Sequence, residues 1–191
     1  MSMLSLWLPI FVAAAVVFFA SFLAWMVLPH HRSDWTGLGD EKGFSDALTS
    51  LNLGPGHYMF PHYAGAEEMK SPEFMARMEA GPRGLLSVWA SPPNTGVNLV
   101  STFVFYLVTG IFIAYIASLA LEPGDSFGEF FRLTSTVGLL AYSFAHIPNA
   151  IWFRRKFTAV LNDILDGAVY GVLTGLAFAL LRPATAAATG S

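Results

Sequence analysis

Four long runs of apolar residues alternate with polar segments along this chain. Each run is long enough to span a membrane, because an α-helix rises about 1.5 Å per residue and a hydrocarbon core of about 30 Å needs about 20 residues. Backbone polar groups cannot stay unpaired in lipid, so the runs are predicted to be helices. The pattern predicts an all-α membrane domain over residues 1–191, a bundle of four transmembrane helices at about Leu4–Leu28, Val97–Leu121, Leu133–Phe153 and Phe157–Leu181.

The fourth run carries a small residue at every fourth position, interrupted by one acid. The row consists of Ala159, Asp163, Gly167, Gly171, Gly175 and Ala179. Such a face lets another helix approach closely. The second run has a weaker row, formed by Gly110, Ala114 and Ser118. We expect both rows to serve helix packing, either within one chain or between protein chains.

The segment from Pro29 to Gly96 is predicted to be a structured loop of 68 residues rather than a bare connection. Asp40 can cap a helix over residues 41–53, and Ser71-Pro72 is a second helix start. We interpret the loop as a small cap that lies against the membrane surface.

Two stretches of this loop, His57–Phe60 and Leu85–Ala90, are short and rich in aromatic or β-branched residues. They are predicted to be extended and able to pair. The tail over residues 183–191 consists of small and polar residues after Pro183, and it is predicted to be disordered.

Composition agrees with a membrane protein and excludes several functions. Hydrophobic residues make up 54% of the chain and charged residues 12%, about half the charged share of a soluble domain. A net charge of −3 gives no basic footprint for nucleic acid. The absence of cysteine excludes thiolate metal sites and cysteine nucleophiles. The sequence has no haem or nucleotide signature and no common catalytic motif, so it predicts no catalytic residue.

Basic residues fall mainly on one side of this topology. Three of them fill the turn between the third and fourth runs, and five lie in the long loop: Arg154, Arg155 and Lys156; Arg32, Lys42, Lys70, Arg77 and Arg83. The positive-inside rule therefore places the loop and this turn in the cytoplasm. Both termini are then predicted to be periplasmic, in a bacterial inner membrane.

Two polar residues of the hairpin formed by the third and fourth runs are predicted to meet. Counted from the short turn, His146 and Asp163 lie at a similar depth, about 10 Å from the end of the bundle. Their pairing could serve chemistry, or it could be a hydrogen bond that locks the hairpin. Asn149 lies one turn from His146, and Asp166 lies one turn deeper than Asp163.

Together with the loop histidines, these residues form the candidate set for a metal ion or a proton. Imidazole and carboxylate groups can bind a divalent transition metal, and histidine titrates near neutral pH. In this topology all five histidines lie on one side of the membrane. The candidate residues are His146, Asp163, Asp166, Asn149, His30, His31, His57 and His62.

Structural roles are the alternative for several candidates. His30 and His31 directly follow a span, where histidines are more often interfacial anchors than a ligand pair. Asp163 and Asp166 lie near the start of the fourth run, where the helix macrodipole favours acids. Either could pair with Arg154 or Arg155 there, and for Asp166 we expect this pairing.

Several stretches resemble a bacterial family of small four-span integral membrane proteins with no established function. They are Leu28-Pro29-His30-His31-Arg32-Ser33-Asp34-Trp35, Tyr58-Met59-Phe60-Pro61-His62, Ser71-Pro72-Glu73-Phe74, Ala150-Ile151-Trp152 and Asp166-Gly167. The resemblance covers nearly the whole chain. It implies four spans and no known activity, so it assigns no catalytic residue.

Three functions from different classes fit these observations. The favoured one is a non-catalytic membrane subunit that packs against and stabilises a larger membrane protein complex through its glycine-lined helix. The expected partners are the lipid bilayer and other membrane protein subunits or copies of the chain. The second is a small transporter, channel or metal-handling protein with an intramembrane His/Asp site. The third is a membrane enzyme that acts on a lipid or quinone. A stoichiometric copurifying partner favours the first function, whereas a lone protein with bound metal favours the second.

The predicted orientation is testable with single cysteines that replace Ser2 or Thr95, because the chain has no cysteine of its own. An impermeant thiol reagent applied to intact cells should label the cysteine at position 2 and leave that at position 95 unlabelled. Labelling of position 95 but not of position 2 would contradict the orientation.

Overall fold

A computed structural model of the chain describes residues 1–184, and residues 185–191 of the tail predicted to be disordered lie outside the described residues. Two compact units are present: Met1–Thr36 with Asn94–Ser191, and Gly37–Pro93. We call them the membrane unit and the loop unit. In chain order the elements are α1 (Trp7–Phe22), α2 (Glu41–Ser50), β1 (Gly56–Phe60), α3 (Ala66–Met69), α4 (Pro72–Ala80), β2 (Gly84–Val88), α5 (Thr95–Ala120), α6 (Phe127–Ser143), α7 (His146–Phe153) and α8 (Phe157–Leu180).

Three helices of the membrane unit are long and apolar enough to cross a membrane. They are α5, α8 and the continuous helix Met3–Val27, which consists of a 3₁₀ turn, α1 and a final π-helical turn over Leu23–Val27. Three of the four predicted spans are therefore present as such helices.

The third predicted span, Leu133–Phe153, is wrong as a single helix. It is divided at Phe144–Ala145 between α6 and the short α7. Pro148 explains the break, because a proline has no N–H to give to the carbonyl four residues earlier and its ring crowds that carbonyl. The carbonyl of Phe144 accepts instead from the N–H of Ile147, at 3.3 Å.

Helix α6 begins at Phe127, earlier than the apolar pattern indicates. Ser126 accepts from the N–H of Glu129 while the Glu129 carboxylate accepts from the N–H of Ser126, a reciprocal capping box. The Ser-x-x-Glu signature was readable in the sequence. It extends the helix over the charged residues Glu129 and Arg132, which an apolar pattern alone does not include.

The glycine row of α8 packs against α6 of the same chain. A Cβ added to Gly171 would lie 2.7 Å from the backbone nitrogen of Leu139, and one on Gly175 would lie 2.7 Å from the Cβ of Ser135. At Gly167 the added atom would meet the carbonyl of Tyr142 at 2.9 Å. The two backbones are thus in direct contact over about two turns, and only glycine permits this approach.

The weaker row of α5 does not pack on the glycine row. Gly110 lies against Ile10 of α1, whose backbone oxygen would be 3.5 Å from an added Cβ. Ala114 is buried in the core cluster that α1, α5, α6 and α8 share near the chain termini. A second cluster farther along the bundle contains three tyrosines, Tyr106, Tyr142 and Tyr170.

The two ends of the bundle are distinct. At the terminal end the Met1 ammonium donates to the carbonyl of Ser118 at 3.4 Å, and Arg182 Nε donates to the carbonyl of Asp125 at 3.2 Å. At the other end Lys156 Nζ donates to the carbonyl of Ser33 at 2.6 Å. We call this second end, formed by residues 28–36 and 144–157, the histidine end.

The loop unit contains the elements that its sequence predicts. Asp40 accepts from the N–H of Gly43 to cap α2, and Ser71 accepts from the N–H of Phe74 to cap α4. Strands β1 and β2 pair antiparallel, which confirms the pairing of the two extended stretches. Helix α2 ends at Ser50, earlier than residue 53.

Because α6 and α8 approach so closely, we expect even an alanine in place of a contact glycine to destabilise the protein. Gly171→Ala should lower the free energy of unfolding by about 1–3 kcal/mol, because its Cβ meets backbone atoms that cannot rotate away. Gly171→Leu should cost more. Unfolding of the detergent-purified protein measures both effects.

Gly128→Ala is the matched control, because a Cβ at Gly128 in α6 has no neighbour nearer than the Ser126 hydroxyl at 3.9 Å. It should be neutral or stabilising through helix propensity. Equal stabilities for the Gly171→Ala and Gly128→Ala proteins would contradict this packing.

Candidate metal centre

Helix α8 presents two adjacent rows of residues at four-residue spacing. The first is the glycine row described above, which includes Asp163 and whose residues Gly167, Gly171 and Gly175 face α6. The polar row faces the turn after α1 and the tyrosine cluster, and it consists of Asn162, Asp166, Tyr170 and Thr174. One carboxylate therefore belongs to each row, and the two carboxylates meet different partners.

The carboxylate of Asp166 holds both histidines that follow the first span. His30 Nε2 lies 3.1 Å from Asp166 Oδ1, and His31 Nε2 lies 3.0 Å from Asp166 Oδ2. The side chain of His31 is 5% exposed, that of Asp166 15% and that of His30 29%. One ligand atom from each residue lies within 4.8 Å of the other two, and all three can ligate a metal ion.

Further residues fix the orientation of this group. His31 Nδ1–H donates to Asp34 Oδ2 at 2.6 Å, and Asn162 donates to Asp34 Oδ1 at 3.2 Å and to the carbonyl of His30 at 2.8 Å. The Trp25 ring stacks on the His31 ring with centroids 3.8 Å apart. The His31 imidazole is thus held on its face and at Nδ1, which leaves Nε2 directed at Asp166.

A hydroxyl group completes the surroundings of the carboxylate. Tyr170 lies one turn deeper in the polar row, and its O–H donates to Asp166 Oδ2 at 3.3 Å. The Tyr170 ring packs edge-on against Tyr106 and Tyr142. Asp166 is therefore bordered by histidines toward the histidine end and by aromatic rings toward the bundle interior.

The two neighbouring carboxylates influence the pKa of His31. Burial acts to lower the pKa of His31, but hydrogen bonds and attraction to the carboxylates of Asp166 and Asp34 outweigh it, so its pKa is raised from the ordinary 6.5. The positively charged form of His31 is favoured when it lies between two carboxylates.

The predicted meeting of His146 and Asp163 is present. His146 Nδ1 lies 3.3 Å from Asp163 Oδ2, whose side chain is 6% exposed. Arg155 Nη1 donates to the same oxygen at 2.7 Å. A guanidinium this close supplies the positive charge that a cation would otherwise provide, so the geometry favours a structural ion pair at Asp163 over a metal site.

The predicted pairing with Arg154 or Arg155 is confirmed for Asp163, which contacts Arg155, and is wrong for Asp166. Three residues along an α-helix rotate a side chain by about 300°, so Asp166 points about 60° away from the direction of Asp163. That rotation turns Asp166 from Arg155 toward the turn after α1. Its partners are His30 and His31.

The remaining candidates lie outside this cluster. Asn149 donates to the carbonyl of Ala145 at 3.0 Å, at the start of α7. His57 Nδ1 lies 3.0 Å from Ser87 Oγ across the loop-unit hairpin. His62 lies beside Tyr63 in the same unit.

Sequence reasoning missed Asp34, Asn162 and Tyr170. A signal for two of them existed in the four-residue spacing of Asn162, Asp166 and Tyr170, which marks one helix face as polar within an apolar run. The role of Asp34 depends on a turn that brings residues 30–34 against α8, and apolar periodicity carries no information about that turn.

No protein-family model, curated protein or solved structure matches this chain. The resemblance to a family of four-span membrane proteins stays a prediction. The function of the chain must therefore be inferred from its own residues.

The shared carboxylate of Asp163 predicts unequal coupling to its two partners. Asp163→Ala should cost about 1–3 kcal/mol of unfolding free energy, because Arg155 then loses its charged acceptor beside the bundle. In double-mutant cycles the coupling to Arg155→Ala should exceed that to His146→Ala, since the distances are 2.7 and 3.3 Å.

Asp46→Ala offers a control, because it breaks an exposed pair with Lys42 in α2 whose loss should be nearly neutral. Strict additivity of the Asp163 and Arg155 substitutions would show that this ion pair does not form.

Proposed function

We propose that this chain is an integral membrane protein that binds a divalent transition-metal ion through His30, His31 and Asp166. The observation that carries the proposal is the convergence of two imidazole nitrogens and a carboxylate oxygen within 4.8 Å of one another. The metal-handling function thereby becomes better supported than the subunit function that the sequence favoured.

The spacing of the donor atoms suits a single ion. Nitrogen and oxygen ligands bind transition metals at about 2.0–2.2 Å, so neighbouring donors on one ion lie about 3–3.6 Å apart. The distance from His30 Nε2 to Asp166 Oδ1 is 3.1 Å, and that from His31 Nε2 to Asp166 Oδ2 is 3.0 Å. These contacts use different carboxylate oxygens, and one donor atom of each residue lies within 4.8 Å of the other two.

The outer contacts are those of a typical metal-binding histidine. A histidine that ligates a metal commonly donates its second ring N–H to a carboxylate, which fixes its tautomer and orientation. His31 has this arrangement, with Asp34 at Nδ1 and Asn162 holding Asp34 in turn. An ion pair between His31 and Asp166 alone does not require the further hydrogen bonds from Asp34 and Asn162.

The donor set favours a first-row transition ion. Imidazole nitrogen selects such ions over Mg²⁺ and Ca²⁺, which prefer oxygen ligands. Among the described residues no lysine or arginine hydrogen-bonds to Asp166, in contrast to Asp163. A metal ion would take the place of the proton on His31 beside this carboxylate, so its binding would release that proton. Three protein donors also leave a coordination position for water or a further ligand, as in exchangeable and catalytic sites rather than closed structural ones.

We also propose that four segments cross a bacterial inner membrane, with both termini periplasmic. Helix α6 supports a fourth crossing, because it packs along α8 and connects the terminal end to the histidine end. The basic turn Arg154–Lys156 supports a cytoplasmic histidine end. In this orientation the metal site opens toward the cytoplasm.

The subunit function remains a prediction, but its main motivation is weaker. The glycine row is covered by α6 of the same chain and is not free for a partner. The apolar residues exposed on the other helix faces suit lipid as well as protein. A membrane enzyme that uses the open coordination position also remains a prediction, for which no substrate-binding residue is identified.

Metal binding is testable with Zn²⁺ alone. The full chain, purified in detergent and stripped with a chelator, should bind one Zn²⁺ in calorimetric titration. Asp34→Asn should weaken the affinity roughly 10–100-fold, and His31→Ala or Asp166→Ala at least as much. Co²⁺ absorption should report the same loss of coordination.

The matched controls are His57→Ala and His146→Ala, which remove histidines outside the cluster and should leave the affinity unchanged. Absence of stoichiometric Zn²⁺ binding, or equal losses in the controls, would overturn the proposal. The cluster would then be an ion-pair network that ties the turn after α1 to α8.

A further inference from the structure

Within the described part of the chain, three basic residues at the histidine end form no ion pair with a carboxylate. Among residues 1–184, no Asp or Glu lies within ion-pair distance of Arg32, Arg154 or Lys156, whereas Arg155 pairs with Asp163. We call these three residues the cationic rim. Lys156 Nζ donates to the carbonyl of Ser33, which joins the turn after α1 to the turn before α8.

The rim residues lie at the boundary of the membrane-crossing helices. Arg32 follows the helix that ends at Val27, and Arg154 and Lys156 directly precede α8. Long basic side chains at the ends of spans extend toward lipid headgroups while their stems remain along apolar surface. The rim is therefore at headgroup level if these helices cross the bilayer.

Helix α7 gives the same end an exposed apolar surface. No residue of α7 is buried, and its side chains include Ile147, Ile151, Trp152 and Phe153. Trp152 is 80% exposed and Phe157, at the start of α8, is 78% exposed. Arg154 ends α7 in a left-handed conformation with φ of 52°, so α7 does not continue into α8.

An exposed helix with a tryptophan and adjoining basic residues is typical of a segment that lies in the membrane interface. Tryptophan is favoured at headgroup level, where its ring is both apolar and polar. If this end lay in water, the five large apolar side chains just named would be exposed to solvent, which is unfavourable. The combination distinguishes this end from the terminal end, where Glu122, Asp125 and Glu129 are acidic.

We propose that the cationic rim binds the phosphate of an anionic phospholipid, while α7 lies in the interface beside it. The charge of the rim is complementary to that of the headgroup phosphate, and the flanking aromatic and aliphatic side chains are complementary to the acyl-chain boundary. A soluble phosphate ion has no acyl chains that could contact the apolar side chains of α7. This inference is independent of metal binding, because none of the rim residues belongs to the metal cluster.

Native mass spectrometry of the detergent-purified full chain tests the proposal. Phosphatidylglycerol should be retained, and phosphatidylcholine should bind more weakly. Each basic residue at an anionic surface strengthens binding roughly fivefold, so the pair Arg32→Gln and Arg154→Gln should weaken phosphatidylglycerol binding by about 25-fold. The pair Arg32→Lys and Arg154→Lys keeps the charge and should retain binding.

Arg132→Gln with Arg182→Gln is the matched control, since it removes the same charge at the terminal end. It should leave the phosphatidylglycerol affinity unchanged. A rim variant that still prefers phosphatidylglycerol, a control that loses as much affinity, or full competition by inorganic phosphate would each overturn the proposal. Melting temperatures of all variants distinguish a loss of lipid affinity from a loss of folding.

Discussion

Direct contact between the backbones of α6 and α8 is the constraint on which the rest of the bundle depends. Gly167, Gly171 and Gly175 leave no space between the two helices for a side chain. Lipid tails are as apolar as a leucine side chain, so helices in a membrane gain little from burying such residues and more from close packing. The contact fixes which face of α8 points at α6, and thereby the direction of every other α8 side chain.

That fixed rotation separates two carboxylates that are only three residues apart. Asp163 continues the glycine row and meets Arg155 and His146 beside α6. Asp166 continues the polar row and meets His30 and His31. The first carboxylate is compensated by a guanidinium, and the second is surrounded by groups that can ligate a metal.

The histidine end combines two features that the break at Pro148 makes possible. Because α6 stops at Ser143, the chain turns through α7 before α8 begins, and this places His146 beside Asp163 and leaves Trp152 exposed. The basic turn at Arg154–Lys156 then anchors the turn after α1 through the Lys156 contact with Ser33. The proposed metal site and the proposed lipid contact thus share one scaffold but use different residues.

The sequence by itself determined the features that follow from local chemistry. Apolar length predicted three of the long helices, capping residues predicted α2 and α4, and turn length predicted that His146 and Asp163 meet. Spacing marked the glycine row as a packing face. Each of these conclusions depends on residues that are close in the chain, or on a hairpin too short to allow another arrangement.

Only the tertiary structure decided which helix covers the glycine row and which partners Asp166 acquires. By pattern the row could pack within one chain or between chains, and its observed partner is α6, whose backbone lies directly against the glycines. The contacts of Asp166 with His30 and His31 join residues more than a hundred positions apart. The periodicity of apolar residues gives no information about contacts between residues so far apart in the sequence. Such contacts form only when packing has fixed the rotation of each helix about its axis.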